Sequence, residues 1–514
     1  MNSPFPFLTV MTFAPIVAGT IILLMPKDQA KAIKIIAAVG AFVSLVMAVL
    51  VFFSYNQVAA ANDPAMQYQF VENAPWVPSL GISYHVGADG ISLVMMLLTG
   101  IVGLMGVFIS WGIKDRPREF FAFFMFLVAG VFGVFMSLDL FLLLFFYELS
   151  IFPMYFLIAN WGSTRKEYAA MKLTLYLLVG SIVAMIGILA VYFSADPVAM
   201  GLPAGQRTFD MLLLMKGNIP IEIQRLWFLP IFIGFGVLAG IWPFHNWSPD
   251  GHVAAPTAVS MIHAGVLMKL GAFAALTAVR LLPQAAKEQM PFVILLVTVN
   301  VVYGAAIAMV QKDFKYVIGF SSVSHMGLVT MGFATMNQTG INGAVLQMWS
   351  HGIMTACFFS VVGLIYDRAH TRQIPELSGW SKYFPLATLA FIVGGLVSMG
   401  MPGFSGFIAE LQIFMGLWAG PFFGQIWYYP IIAIISIWGV VLTAAYVLRV
   451  VQQVFFGEWD PHKWHDLRPN NWGDKLALGT FTALMILVGV YPSWIMNMIQ
   501  VGTKPVMALL GFGG

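Results

Sequence analysis

Five ionisable residues stand inside long apolar runs of this 514-residue chain. They are Glu148 in DLFLLLFFYELSIFP, Lys269 in GVLMKLGAF, His325 in SSVSHMG, His351 in MWSHGIMTACFF and Glu410 in GFIAELQIF. A charged side chain at the centre of a membrane costs about 3 kcal/mol even on the gentler insertion scales, so such residues mark function by default. The mixture of types points to proton transfer. A relay needs groups that exist both with and without a proton near neutrality; burial brings carboxylates and amines into that range, and imidazole is already there. Weak dielectric screening then lets a change at one group alter the proton affinity of the next.

Spacing puts the five at one height. At about 1.5 Å rise per residue, His325 lies eleven residues past Phe314 and His351 eleven past Gly340. That is roughly 16 Å, the middle of a hydrocarbon core about 30 Å thick. Glu148 is eight residues past Leu140, Lys269 fifteen past Ala254, and Glu410 seven past Gly403. Each has a structural alternative: Glu148 as a helix–helix hydrogen bonder, Lys269 as a structural cation, the histidines as satisfied core residues or as a haem-ligating pair. His245 and His252 read as capping or loop residues, and His462 and His465 as members of a wet loop (EWDPHKWHDLRPNN). Asp89 and Asp139 open spans, where the helix dipole accounts for them.

The elements that must position these residues are helices in a bilayer. The chain is 60% hydrophobic and 9% charged, with mean hydropathy +0.86, against about 25% charged residues in soluble domains. Its apolar runs are too long for barrel strands. Taking about 20 residues per crossing, the expectation is an all-α polytopic membrane protein of about fourteen transmembrane helices. They lie near 5–25, 33–55, 89–112, 119–137, 140–160, 168–193, 227–242, 254–280, 291–310, 314–335, 340–366, 385–418, 427–455 and 474–498. The first is read as retained, since no basic residue precedes it. Seventeen of the 25 lysines and arginines fall in alternate connections and six in the others, with Lys172 and Lys269 inside spans. By the positive-inside rule both termini face away from the cytoplasm. The net charge of +3 gives no sign of nucleic acid, and the single cysteine, Cys357, excludes disulfides and cysteine-ligated clusters within the chain.

Two spans are interrupted, the seventh at Gly240–Pro243 and the twelfth at Gly400–Gly403. Either alone could be a proline kink. Counted in five-helix blocks from the fourth helix, each break falls in the fourth member. That is the pattern of two inverted five-helix repeats (helices 4–8 and 9–13), with sites at the broken helices. The expected regions are 1–118 (helices 1–3), 119–280 and 291–455 (the two halves) and 456–514 (a loop and the last helix).

The sequence resembles the antiporter-like membrane subunits of respiratory complex I, most closely the subunit M (chain M) family. The blocks that carry the likeness include GADGISLVMMLLTG, SLDLFLLLFFYELSIFPMYFL, PFHNWSPDGHVAAPTAVS, QKDFKYVIGFSSVSHMGLVTMG, QMWSHGIMTACFFSVVG and GMPGFSGFIAELQIF, within residues 87–457. The resemblance implies a proton-translocating subunit of NADH–quinone oxidoreductase. Glu148 would be a carboxylate paired with a lysine, Lys269 the central relay, His325 and His351 the link to the second half-channel, and Glu410 its terminal carboxylate. Lys172 matches a basic position in the family's sixth helix. One departure stands out: the family's seventh-helix lysine falls at Leu238, while His263 adds an ionisable group where chain M relatives tend to be apolar. Lys172 or His263 is then expected to take over coupling to Glu148, unless the first half-channel is silent.

The resemblance further implies no cofactor in this chain, with NADH, flavin, iron–sulfur clusters and quinone in partner subunits. Antiporter-like neighbours would flank it on both sides in the plasma (inner) membrane, touching helices 1–3 and 13–14. Two other functions share the same charged row: a subunit of a multi-subunit Na⁺/H⁺ antiporter, and a hydrogenase- or ferredoxin-linked relative of the complex.

Overall fold

The computed structural model describes residues 5–460, 463, 467 and 469–511; His462 and His465 lie outside the described residues. Among the described residues thirteen helices are long and apolar enough to cross a membrane, and the shorter apolar helices Pro385–Ser398 and Ser405–Ala419, on either side of the second break, stand where the remaining span is expected. In chain order the spans are Phe7–Leu24, Ala30–Ser54, Gly90–Gly112, Pro117–Met136, Leu140–Trp161, Lys166–Ser194, Ile221–Ala239, Thr257–Leu281, Pro283–Val310, Phe314–Ala334, Gln338–Ala369, the Pro385/Ser405 pair, Tyr429–Phe455 and Trp472–Val490.

Burial sorts these spans into an axis and a wall. The eighth and eleventh are buried along their whole apolar window and the third and tenth nearly so, whereas the first, second, sixth and thirteenth turn most of theirs outward. The basic connections gather at one end of the bundle. Lys34 Nζ donates to Trp111 O (2.7 Å) and Arg372 Nη1 to Ser163 Oγ (3.1 Å), while Arg372 pairs with Asp313 at 3.3 Å. Spans that begin at either end carry side-chain caps. Asp139 accepts from Phe141 N and Leu142 N, Asp313 from Lys315 N, and Asp89 forms a capping box with Ser92.

Both interruptions are present, and each has its own physical cause. Gly240 stands at φ +79° and ends the seventh span, which resumes as the half-helix Trp247–Ala254. The break leaves backbone groups without helical partners deep in apolar surroundings, which membranes tolerate only when protein satisfies them. Asn300 of the ninth span does so with both ends of its amide: Nδ2 donates to Gly240 O (2.8 Å) and Oδ1 accepts from Trp242 N (2.7 Å). In the twelfth span Gly400 (φ +62°) and Gly403 (φ +92°) flank Pro402, whose missing N–H cannot continue a helix.

Two elements depart from the expected all-helical layout. Between the second and third spans Gln69–Val77 pairs antiparallel with Ile82–Ala88, and Glu72 fastens this hairpin to the first span by accepting from Leu8 N (2.9 Å). The expected last helix 474–498 is two: the fourteenth span stops at Val490, and a separate helix, Ser493–Leu509, follows Pro492. That helix lies against the start of the third span so closely that a Cβ on Gly90 would stand 2.1 Å from Met498 O.

Candidate functional site

The eighth span is not a uniform α-helix. After Thr257–Ile262 it widens into one π-helical turn, His263–Leu267, and returns to α-helix at Met268. Such a turn alters the direction of the side chains around it. Lys269 follows directly, wholly buried, and its Nζ donates to Ala264 O inside the widened turn. The same nitrogen meets His351 Nδ1 of the eleventh span at 2.6 Å. The amine is thus held between one backbone acceptor and one imidazole.

From His351 the line continues without leaving the buried core. The rings of His351 and His325 have centroids 5.3 Å apart, tilted by 33°, a step that ring rotation or one bridging water can cover. His325, from the tenth span, has Nε2 2.9 Å from Ser398 Oγ at the edge of the second break. Its Nδ1 is shared: Gln347 Nε2 lies at 3.1 Å and Glu410 Oε1 at 3.5 Å. An Asn or Gln NH₂ only donates, so Gln347 fits a bare Nδ1, with the ring proton on Nε2 donated to Ser398; a carboxylate only accepts, so Glu410 fits a protonated one. Glu410 itself sits in the half-helix after the break, its carboxyl against Gly400, where an added Cβ would lie 2.5 Å from Oε2. Four residues from four spans (Lys269, His351, His325, Glu410) therefore form one buried row.

Glu148, the fifth member expected from height and from the resemblance, has no hydrogen bond or ion pair to these four among the described residues. It is half-buried on the fifth span and faces the hydroxyl of Ser181 on the sixth. Leu238 is fully buried, with its Cβ 2.8 Å from where a Cβ on Gly271 would stand, two residues beyond Lys269. No hydrogen bond or ion pair joins Lys172 or His263 to Glu148 among the described residues. Lys172 pairs with Asp250 of the half-helix at 2.6 Å, and Tyr316 donates to the other oxygen of that carboxylate at 2.9 Å. Lys172 also lies nine residues from Ser181, about 13 Å along the helix axis. His263, at the start of the widened turn, packs on Trp247 (ring centroids 5.2 Å) and His252 (4.0 Å).

His252 is accordingly not a loop or capping residue; it is fully buried beside His263. His245 is buried too and faces Tyr303. Asp89 does more than cap the third span: it takes Arg280 Nη2 at 2.7 Å in an almost wholly buried ion pair. Sequence reasoning missed Gln347 and Ser398, which are uncharged; the one available signal was that Gln347 precedes His351 by four residues and shares its helix face. No cluster of three or more His, Cys, Asp or Glu able to hold a metal ion occurs among the described residues.

Comparison with known proteins gives a consistent result. Residues 137–424 match the family model described as "NADH:quinone oxidoreductase/Mrp antiporter, TM". The chain is 34% identical to an NAD(P)H-quinone oxidoreductase chain 4 of Thermosynechococcus vestitus over 96% of this chain and 90% of that one. It is likewise 34% identical to the NADH-quinone oxidoreductase subunit M of Rhodobacter capsulatus, over 96% of this chain and 94% of the relative. A chain in the structure of respiratory complex I from Thermus thermophilus with bound NADH superposes with a TM-score of 0.86 at 22% identity, covering 98% of this chain and all of that one. The chain belongs to the NADH:quinone oxidoreductase/Mrp antiporter membrane family.

Proposed function

We propose that this chain is the proton-translocating M-type subunit of a quinone-reducing complex, carrying protons through the row Lys269–His351–His325–Glu410. The observation that carries the reading is the contact of Lys269 Nζ with His351 Nδ1 at 2.6 Å, in the two spans whose apolar windows are wholly buried. A proton on the amine has one imidazole to go to. From His351 it passes to His325, and the release of His325 toward Glu410 is governed by which of Gln347 and Glu410 holds Nδ1. Because each transfer changes the field at the next group, charge movement arriving from a neighbouring subunit can drive the row without any redox step in this chain.

The membrane family and the relatives' names support the setting. The chain lies in the plasma membrane with its basic end in the cytoplasm, which puts both termini on the outer side. Antiporter-like subunits flank it in the membrane arm, and NADH, flavin, iron–sulfur clusters and quinone are held by partner subunits. Two inverted halves, helices 4–8 and 9–13, each contribute one break: the first lies beside the entry to Lys269 and the second beside Glu410. Glu148 stands outside the central row.

The test uses vesicles containing the assembled complex, with quinone reduction and the pH gradient followed together. Glu410→Gln and Lys269→Met are expected to leave the complex assembled and to lower the gradient formed per quinone reduced at least tenfold. A wild-type gradient in both variants would overturn the reading. A gradient that appears on adding Na⁺ with no quinone turnover would instead identify an antiporter.

A further inference from the structure

Two histidines of this region take no part in the row. His252, on the half-helix after the first break, and His263, the first residue of the widened turn, are both fully buried with ring centroids 4.0 Å apart. None of their four ring nitrogens has a hydrogen-bond partner. A buried polar group left unpaired costs about 1–3 kcal/mol, and a native structure that keeps such groups does so for an unseen water, an ion or a catalytic task. Aromatic rings close the pair on both sides, Trp247 over His263 at 5.2 Å and Phe359 by His252 at 5.3 Å. Gly251 completes the enclosure: a Cβ there would meet His263 Cε1 at 3.1 Å.

The surroundings connect this pair to both sides of a path. The charges that act on it are Lys269, six residues further along the same span, and Lys315 from the tenth span, and His252 in turn acts on His351 of the eleventh. Asp250, on the same half-helix as His252, is engaged by Lys172 and Tyr316. On the other side, a polar cavity of about 580 Å³ at the basic end is lined by Ser163, Lys315, Asp367 and Asp474. Its lining includes Ala255–Ala258, the stretch of chain that joins the helix of His252 to the span of His263. Lys315 Nζ donates to Ala255 O within it (2.8 Å), and Ser260 Oγ donates to His252 O (2.9 Å).

We propose that His252 and His263 form the proton-loading site of the relay, taking a proton from the basic-end cavity and delivering it to Lys269. The proposal rests on the relay reading given above. A proton from cavity water adds to a ring nitrogen of His252, crosses to His263, and leaves that ring for the free amine of Lys269; no other bond changes. Leu238, packed against Gly271 beyond Lys269, brings no proton-carrying group there, and the histidine pair supplies one on the other side of Lys269.

The test again uses vesicles of the assembled complex. His252→Asn and His263→Asn keep a polar side chain but cannot take up a proton. Each is expected to lower the pH gradient formed per quinone reduced about fivefold or more, with the double variant no worse than either single, as for one shared site. Leu238→Lys is expected to restore at least half of the gradient in His263→Asn, which a merely structural loss would not allow. Wild-type gradients in both Asn variants, together with none in Lys269→Met, would overturn the loading site while leaving the row intact. A wild-type gradient in Lys269→Met would overturn the row itself. Should His263→Asn assemble poorly, His263→Gln carries the same two outcomes.

Discussion

The carboxyl of Glu410 rests against the bare α-carbon of Gly400, closely enough that a methyl group there would lie 2.5 Å from Oε2. Gly400 thus does two things at once: it ends the first half of the twelfth span at φ +62°, and it leaves the volume the carboxyl occupies. Gly400→Ala is expected to fold, since an alanine in the left-handed region costs only about 1–2 kcal/mol. The added methyl must nevertheless push Glu410 away from His325. The expected result is at least a tenfold loss of the pH gradient with the chain still in the complex. Wild-type pumping by this variant would show that the carboxyl does not work from the position seen.

Asn300 is the brace of the other break. Replacing it by leucine leaves Gly240 O and Trp242 N without their partners at 2.8 and 2.7 Å. Two buried backbone groups unpaired cost about 1–3 kcal/mol each. Asn300→Leu should therefore shorten the half-life of the complex at elevated temperature several-fold. Asn300→Asp, which keeps the acceptor for Trp242 N, should lie between it and the wild type. Equal half-lives for all three would mean that water satisfies the break instead.

The fourteen crossings could be read from the chain because apolar length and Gly/Pro breaks are properties of single segments. The row was partly legible for a related reason: sequence position fixes how deep a residue lies. It does not fix which way round the bundle the residue points. Glu148, expected at the height of Lys269, faces Ser181, and His252, read as a capping or loop residue, proves to be buried against His263. The widened turn that starts at His263 carries no hydrophobic-period signal. Ser398 and Asn300 were invisible, and Gln347 was marked only by its spacing from His351, because an uncharged polar residue in an apolar helix usually does nothing more than bond its own backbone. The hairpin Gln69–Ala88 and the helix Ser493–Leu509 were missed because neither meets the length-and-hydropathy test for a crossing.

Arg280 and Asp89 separate stability from pumping. Their 2.7 Å pair is almost completely buried near the ends of the eighth and third spans, away from the row. Removing one member of a buried pair strands the other charge and costs about 3–5 kcal/mol. Arg280→Met and Asp89→Asn should each reduce the amount of assembled complex sharply. The double variant should recover much of it, since it leaves no stranded charge and Asn still caps the third span. What complex does form should pump at the wild-type ratio per quinone; a lowered ratio would place the pair in the proton path.

Gln347 sets the sharpest condition on the relay. Its Nε2 lies 3.1 Å from His325 Nδ1, while Glu410 Oε1 waits 3.5 Å from the same nitrogen. The amide donor stabilises the ring without a proton at Nδ1, and the carboxylate stabilises it with one, so the two neighbours favour opposite states of one atom. Gln347→Leu removes the partner of the empty state. His325 and Glu410 then keep their proton between them, and turnover should slow about fivefold without loss of assembly. Gln347→Glu has nearly the same size, but when ionised it only accepts. It should hold the proton on Nδ1 and slow pumping at least as much as leucine does. If both variants pump like the wild type, Gln347 is a spectator and His325 exchanges protons with Glu410 unaided; if only leucine is impaired, packing rather than donor identity is what matters at this position.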